Sequence, residues 1–544
     1  MKKSKVFLLA AVGLLSVGVL TACSSSSKTS GKTYNYVYGS DPATLDYLAT
    51  NKKNMTTAVS NGVDGLFEND QYGNLKPSVA EDWSVSQDGL TYTYKIRKGL
   101  KWYTSDGEEY ANVTAKDFVT GLKHAADTNS EAIYLLQNSV KGLNDYLSGA
   151  NKDFSNVGIK AVDDYTLQYT LSQPEPYWNS KMTYSLFWPV NEEFLKSKGD
   201  SFGKSTDPSS ILYNGPYILK SLTAKSSIEL AKNENYWDKK NVHFDGIKLS
   251  FYDASDQESL VRNFTDGAYS QARLYPTSSN FNSVEKQYKD NIFYTQPSAD
   301  IGGVGVNIDR QSYNHTSKKT DAEKDSTKKA LLNKDFRQSV NFAIDRTAYS
   351  AQLNGEKGAA LAVRNLLVKP DFVYAGDKSF GDLVTEKMPS YGDEWSGVNL
   401  KDSQDGLFNA DKAKTEFNKA KEALQAQGVQ FPIHLDLPVD QAAKPTVARA
   451  QSLKQSVEET LGKENVVVDV HQMSQDDLLN STLYAANAAA EDWDINISVA
   501  WAPDYEDPST FLDIFKTTAS ENTKTYMGFD DPNNAAAAQV GLKD

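Results

Sequence analysis

From Asn333 onward the apolar residues alternate between two periods, and this restricts the fold more than any other feature of the chain. Phe336, Val340, Ala343 and Ile344 recur at helical spacing behind Asn333, a residue suited to capping a helix. Asp411 to Gln427 repeats the pattern with Ala413, Phe417, Ala420 and Leu424, and Gly428 stops it. Short apolar runs read as strands at Pro432–Leu437, Val466–Val470 and Asp494–Ala500, with helices predicted at Pro445–Leu461 and Asp476–Ala488 between them. Strands alternating with helices predict βαβ units and a partly parallel sheet, so the fold class is α/β.

The first half reads differently. Residues 33–39 alternate polar and aromatic side chains, as a strand does, until Asp41-Pro42 breaks the run. Ser84 to Trp102 predicts a hairpin turning at Gln87-Asp88-Gly89. Thr114 can cap a helix carrying Phe118, Leu122 and Ala125 on one face. Beyond Tyr213 the chain reads mostly as β, with a strand at Ser227–Ala231. Residues 311–328 are polar without periodicity, which predicts an exposed loop with a domain boundary just before it. Pro532 to Asp544 shows no core element, and the sequence has no internal repeat. At 544 residues the chain exceeds what one hydrophobic core supports, so two or three domains are expected.

The N-terminus carries Lys2, Lys3 and Lys5, then an apolar run from Val6 to Leu20. The run is shorter than the roughly 20 apolar residues of a membrane-spanning helix and fits a secretory signal peptide. Leu20-Thr21-Ala22-Cys23 follows and resembles a bacterial lipobox, which implies cleavage before Cys23 and a lipid on that residue. Cys23 is the only cysteine, and Ser24 to Ser27 after it form a polar tether. Asp and Glu total 71 against 57 Lys and Arg, a net charge of −14. So acidic a body is not drawn to anionic lipid, which leaves anchoring to the acyl chain.

The same acidity argues against nucleic-acid binding, which needs a basic surface, and a single cysteine excludes a disulfide framework. Gly199-Asp200-Ser201-Phe202-Gly203 fits the serine-hydrolase pattern G-x-S-x-G, but its flanks read as a charged helix end and a turn rather than strand and helix. The five histidines (His124, His243, His315, His434 and His471) form no local metal motif. Gly302-Gly303-Val304-Gly305 lacks nucleotide-binding spacing and reads as a strand approached closely by another backbone.

An ordered set of segments carries a resemblance. It comprises Ala80-Glu-Asp-Trp83, Asp88 to Trp102, Thr114 to Phe118, Asn214-Gly215-Pro216-Tyr217, Lys232 to Asp238, Phe336-Arg337-Gln338 with Ala343-Ile344-Asp345-Arg346, and Trp501-Ala-Pro-Asp-Tyr-Glu-Asp-Pro508. Behind a lipobox, this set resembles the oligopeptide-binding lipoproteins of Gram-positive ABC importers, the family 5 extracellular solute-binding proteins. The resemblance covers essentially the whole chain. It implies a two-lobed, periplasmic-binding-protein-like fold with an inserted domain: lobe one at 33–70 and 205–305, the insertion at 71–204, and lobe two at 306–530. Residues 1–22 would be the signal peptide, 23–32 the tether and 531–544 a tail, where the family continues with a return to lobe one.

The resemblance further implies a binding protein rather than an enzyme. It would have no cofactor, act as a monomer, and deliver oligopeptides to two permeases and their ATPases. Asp504 would bind the peptide's α-amine, with Trp501 and Tyr505 beside it, Asp494–Trp501 presenting backbone to the peptide, and Tyr36–Ser40 as a facing segment. Residue by residue, Asp504 also reads as a turn residue ahead of Pro508 and Trp501 as an ordinary core side chain. A peptide-signal receptor and a sugar binder share the same fold.

Overall fold

The computed structural model describes residues 32–293 and 298–542. The signal-peptide and Cys23 readings fall on residues 1–31, outside the described residues. Among the described residues no helix is long and apolar enough to cross a membrane. The chain divides into two compact units, one up to Arg273 and one from Leu274.

The first unit contains two four-stranded sheets. The elements of one are β2 (Ala80–Val85), β3 (Thr91–Ile96), β4 (Ile159–Asp163) and β5 (Thr166–Thr170), in the order β2-β3-β5-β4, all antiparallel. β3 buries Tyr92, Tyr94 and Ile96 on alternate positions, the period expected of a strand with one face on a core. The other sheet joins β1 (Thr33–Tyr38), β6 (Tyr217–Thr223), β7 (Ser227–Lys232) and β8 (Gly246–Phe251) in the order β1-β8-β7-β6. β1 lies parallel to β8, with Tyr36 opposite Leu249, and forms an edge of this sheet.

Helix α1 (Ala115–Asp127) buries Phe118, Leu122 and Ala125, the face read from the sequence. Its start is fixed by Asp117, whose carboxylate accepts the Thr114 N–H at 2.9 Å and the Trp102 indole N–H at 3.0 Å. Burial pushes the Asp117 carboxyl up to about 6 against these two hydrogen bonds. The native state therefore keeps a proton that the unfolded chain releases near pH 4, so this contribution to stability is present at pH 4 and lost as pH rises through 6. Asp117→Asn should flatten the pH dependence of unfolding between pH 4 and 6 by up to about 1.4 kcal/mol per pH unit. Urea midpoints of both proteins at pH 4, 5, 6 and 7 check this.

In the second unit, β9 (Ile301–Val306) leads through a polar segment to α2 (Asp321–Leu332), α3 (Lys334–Ala343) and α4 (Arg346–Gly358). Then follow α5 (Ala410–Ala426), β10 (Ile433–Asp440), α6 (Lys444–Leu461), β11 (Val466–Met473), α7 (Gln475–Ser481), β12 (Ile495–Trp501) and, later, α8 (Ala535–Gln539). β10 and β11 pair in parallel from Ile433–Val466 to Asp440–Met473, with α6 as the crossover, so the predicted βαβ unit is present. Asn333 caps α3 by accepting the Phe336 N–H at 2.9 Å. Phe336, Phe342, Phe417, Leu435 and Val457 meet in the core of this unit.

Four readings need correction. Residues 311–328 are not an exposed loop. Lys318 is buried, α2 begins at Asp321, and Ser326 and Thr327 are buried on it. A capping box opens α2: Glu323 donates its N–H to the Thr320 hydroxyl at 3.2 Å and accepts the Thr320 N–H at 2.9 Å. The partners that let this polar stretch sink lie more than a hundred residues away, so local periodicity carries no trace of them. The helix predicted to Ala488 ends at Ser481, because the Ser481 and Thr482 hydroxyls bond back to the Asp477 and Leu478 carbonyls, both at 2.7 Å. The tail does hold a core element: α8, capped by Asn534, buries Ala536 and Ala537 against Ile308 and Phe529. Finally β9, assigned to lobe one by the sequence reading, lies in the second unit and pairs with β12. Its glycine-rich sequence has no side-chain period to show which sheet it joins.

The buried polar stretch is a charge cluster. Arg310 reaches Asp436 at 2.7 Å, Asp492 at 2.7 Å and Asp494 at 3.0 Å. Lys318 reaches Asp436 at 2.7 Å and also pairs with Asp494. All five side chains are at most 2 % exposed. Burial pushes the Asp436 carboxyl up, but the His471 hydrogen bond and the Lys318 and Arg310 charges overcome it and hold the group well below the usual carboxylate range. The cluster fastens the segment after β9 to β10 and to the residues that lead into β12.

Candidate functional site at the end of strand β12

β12 pairs antiparallel with β9, Gly303 opposite Val499 and Ile301 opposite Trp501. The two form a two-stranded sheet, so among the described strands each keeps one edge without a ladder partner. β12 buries Ile495, Ile497 and Val499 and exposes Ser498 and Ala500. The C-terminal ends of strands in α/β folds are where ligands are bound, because the loops there are free to vary above a rigid sheet.

The chain leaves β12 at Trp501 and turns. Thr510 holds the turn with two groups: its hydroxyl accepts the Asp504 N–H at 2.7 Å, and its carbonyl accepts the Trp501 indole N–H at 2.7 Å. Asp507 accepts the Ser509 N–H at 2.9 Å, and the Tyr505 and Ser509 hydroxyls lie 3.2 Å apart. The Tyr526 ring meets Trp501 edge-on, centroids 6.4 Å apart, and its hydroxyl donates to the Ala500 carbonyl at 2.5 Å. Asp504 is 9 % exposed. Burial, and then the Asp504 charge, push the Tyr526 hydroxyl up to about 12, which places the carboxylate within electrostatic reach of that ring.

Beside the turn lies a cavity of about 390 Å³ walled by Val499, Trp501, Phe515, Tyr526, Gly303 and Gly305. Gly305 matters here: a Cβ on it would stand 3.1 Å from the Tyr526 carbonyl oxygen and 3.2 Å from Val499 Cγ1. The close backbone approach read from Gly302–Gly305 is present at Gly305, whereas a Cβ on Gly303 would meet nothing within 4 Å. Trp501 lines this cavity, while Asp504 and Tyr505 sit on the turn beyond it. Thr510 and Tyr526, which position Trp501 and Asp504, were missed from sequence. The only signal for Thr510 was its place two residues after Pro508, the end of the motif.

The hydrolase pattern does not form an elbow. Ser201 is exposed on a short 3₁₀ turn that follows the helix Glu192–Lys198. Four histidines each pair with one carboxylate: His124 with Asp46, His434 with Asp469 and His471 with Asp436, all at 2.7 Å, and His315 with Asp492 at 3.0 Å. Among the described residues no group of three potential metal ligands gathers.

Comparison with known proteins identifies the family. Residues 74–523 match the family described as bacterial extracellular solute-binding proteins, family 5 Middle. The oligopeptide-binding protein AmiA of Streptococcus pneumoniae is 70 % identical over 547 residues, which take in 100 % of this chain and 83 % of the relative. SarA of Streptococcus gordonii, also an oligopeptide-binding protein, is 61 % identical with the same coverage. The fold matches Listeria monocytogenes OppA bound to peptide, with a TM-score of 0.66 and 25 % identity over 92 % of this chain and 86 % of that one. These matches show the family: the chain belongs to the bacterial extracellular solute-binding proteins of family 5.

Proposed function

We propose that this chain captures oligopeptides outside the cell and delivers them to the permease and ATPase subunits of an ABC importer, without catalysing a reaction. The observation that carries this reading is a buried carboxylate, Asp504, at the end of a strand with an open edge, in a chain 70 % identical to an oligopeptide-binding protein.

The physical logic is that of a receptor that must accept many sequences. What all peptides share is a backbone and a free amine. An extended peptide can add to a sheet edge through main-chain hydrogen bonds, and β12 has one edge without a ladder partner, where a peptide would meet the Ser498 N–H, now bonded to Asn496 Oδ1 at 2.8 Å, and the Ala500 carbonyl, now bonded by the Tyr526 hydroxyl. In the first unit β1 is also an edge strand; the Asn35 N–H and C=O already bond Ser270, so the edge left for a ligand begins at Tyr36–Ser40. The α-amine needs a partly desolvated carboxylate, where a charge-assisted hydrogen bond is strongest, and Asp504 supplies one. Trp501 and Tyr505 flank it as ligand-lining side chains. A lipid on Cys23 holds the protein to the outer face of the membrane as a monomer.

The test is thermal unfolding of residues 24–544 with and without a mixed peptide pool. Ligand at about 100 times Kd should stabilise the fold by roughly 2.7 kcal/mol, a readily measured rise in Tm. A cooperative transition that does not move with peptide contradicts the proposal.

A further inference from the structure

Three of the chain's eight arginines line one cavity. This cavity, of about 440 Å³, lies in the second unit among β9, α3, α4 and α6, and its walls include Arg346, Arg364 and Arg449 but no Asp or Glu. In a chain with 71 acidic residues that is an unusual local balance. Two of the arginines are tied up. Arg346 bonds the Asn341 side-chain oxygen at 2.6 Å and the Ile344 carbonyl at 3.1 Å, with Asp405 at 3.8 Å. Arg364 pairs with Asp402 at 3.2 Å and bonds the Ala299 carbonyl at 3.0 Å.

Arg449 differs. It stands over the Tyr349 ring, 5.4 Å from the centroid, and donates to the Thr446 hydroxyl at 3.3 Å. Among the described residues it has no carboxylate partner, and its buried Nε has no acceptor. Asn365, 8 % exposed, is its counterpart: it donates to the Lys401 and Gln404 carbonyls, both at 2.8 Å, yet its buried Oδ1 accepts nothing. A buried donor on a cation and a buried acceptor, both lining one cavity and both without partners, cost stability in the absence of a ligand. Leu353, Leu366 and Leu453 give the wall an apolar part, beside the polar Ser350 and Asn354.

We propose that this cavity is a carboxylate subsite. Arg449 donates to the carboxylate, Asn365 Oδ1 accepts an N–H or O–H from the same ligand, and the leucines take its apolar body. The chemistry occurs both in a free N-acyl amino acid and at an acidic end of a bound peptide. The site requires neither Asp504 nor the oligopeptide reading.

Calorimetry on the full chain separates the two sources. One probe pair is N-acetyl-leucine against its amide; the other is a pentapeptide acid against the same peptide amidated. The acid should bind at least about tenfold tighter than the amide in one pair, the usual value of a hydrogen bond to a charged group. Arg449→Gln should bring that ratio close to one, while Arg449→Lys, which keeps the charge, retains most of it; an unchanged Tm confirms that both variants are folded. Preference in the first pair alone identifies a free acid as the ligand, and in the second alone the peptide's own carboxylate. Preference for the small acid with no peptide binding would sink the oligopeptide proposal and leave this site standing. Equal affinity for acid and amide in both pairs, no binding of either, or a preference that survives Arg449→Gln overturns it.

Discussion

Lys318→Met should destabilise the protein by about 3–5 kcal/mol, the usual cost of removing one partner from a buried ion pair. Lys318 lies between Asp436 and Asp494 with no exposure, and Arg310 contacts both of those carboxylates as well. Without the lysine, three buried carboxylates (Asp492 is the third) share a single guanidinium. A methionine fills the volume but leaves two desolvated charges facing each other. Lys378→Met is the control: Lys378 and Glu386 are both more than half exposed, so breaking that pair should cost at most about 1 kcal/mol. Denaturant unfolding at neutral pH compares the two variants. A loss below about 1 kcal/mol for Lys318→Met would show that water or side-chain rearrangement compensates the cluster. The cluster also has a bearing on function, because Asp492 and Asp494 immediately precede β12 and so help set where Trp501 and Asp504 emerge.

The second large effect is on binding. Asp504→Asn should weaken peptides with a free amine by about 2–5 kcal/mol, the range for truncating one partner of a buried charge pair. The substitution keeps the shape, and the bond to the Thr510 hydroxyl is donated by the main-chain N–H of residue 504, which asparagine retains. Tyr526 gives an independent readout. Its hydroxyl is pushed up to about 12 by burial and by the Asp504 charge, so in Asp504→Asn its titration should move to lower pH. Unchanged peptide affinity, with Tyr526 shifted as expected, would show that Asp504 is a structural turn residue and not the amine site.

Much of this was legible in the sequence, for reasons that individual residues make clear. Asn333 and Thr114 marked helix starts because capping is local chemistry. The strands Ile433–Asp440 and Val466–Met473 announced themselves by apolar residues, which Ile433–Asp440 buries almost throughout and Val466–Met473 buries at Val466, Val468 and Met473. What was hidden was long-range. Lys318, inside the stretch 311–328, read as a loop residue until Asp436 and Asp494 are brought to it by the fold. The turn at Asp504 was found through a motif, but the residue that holds it, Thr510, and the ring beside it, Tyr526, had no motif to mark them. Arg449 lay on a predicted helix with no hint of a cavity, because nothing in one helix tells that a neighbouring wall carries two more arginines and no acid.

Recognition of peptides by their backbone and free amine is measured by a calorimetric titration of the wild-type chain with one extended peptide, in free-amine and N-acetylated forms. The free-amine form should bind more tightly by about 2–5 kcal/mol, because only it can place a cation against Asp504. Equal affinity for the two forms, or no binding of either, would contradict it.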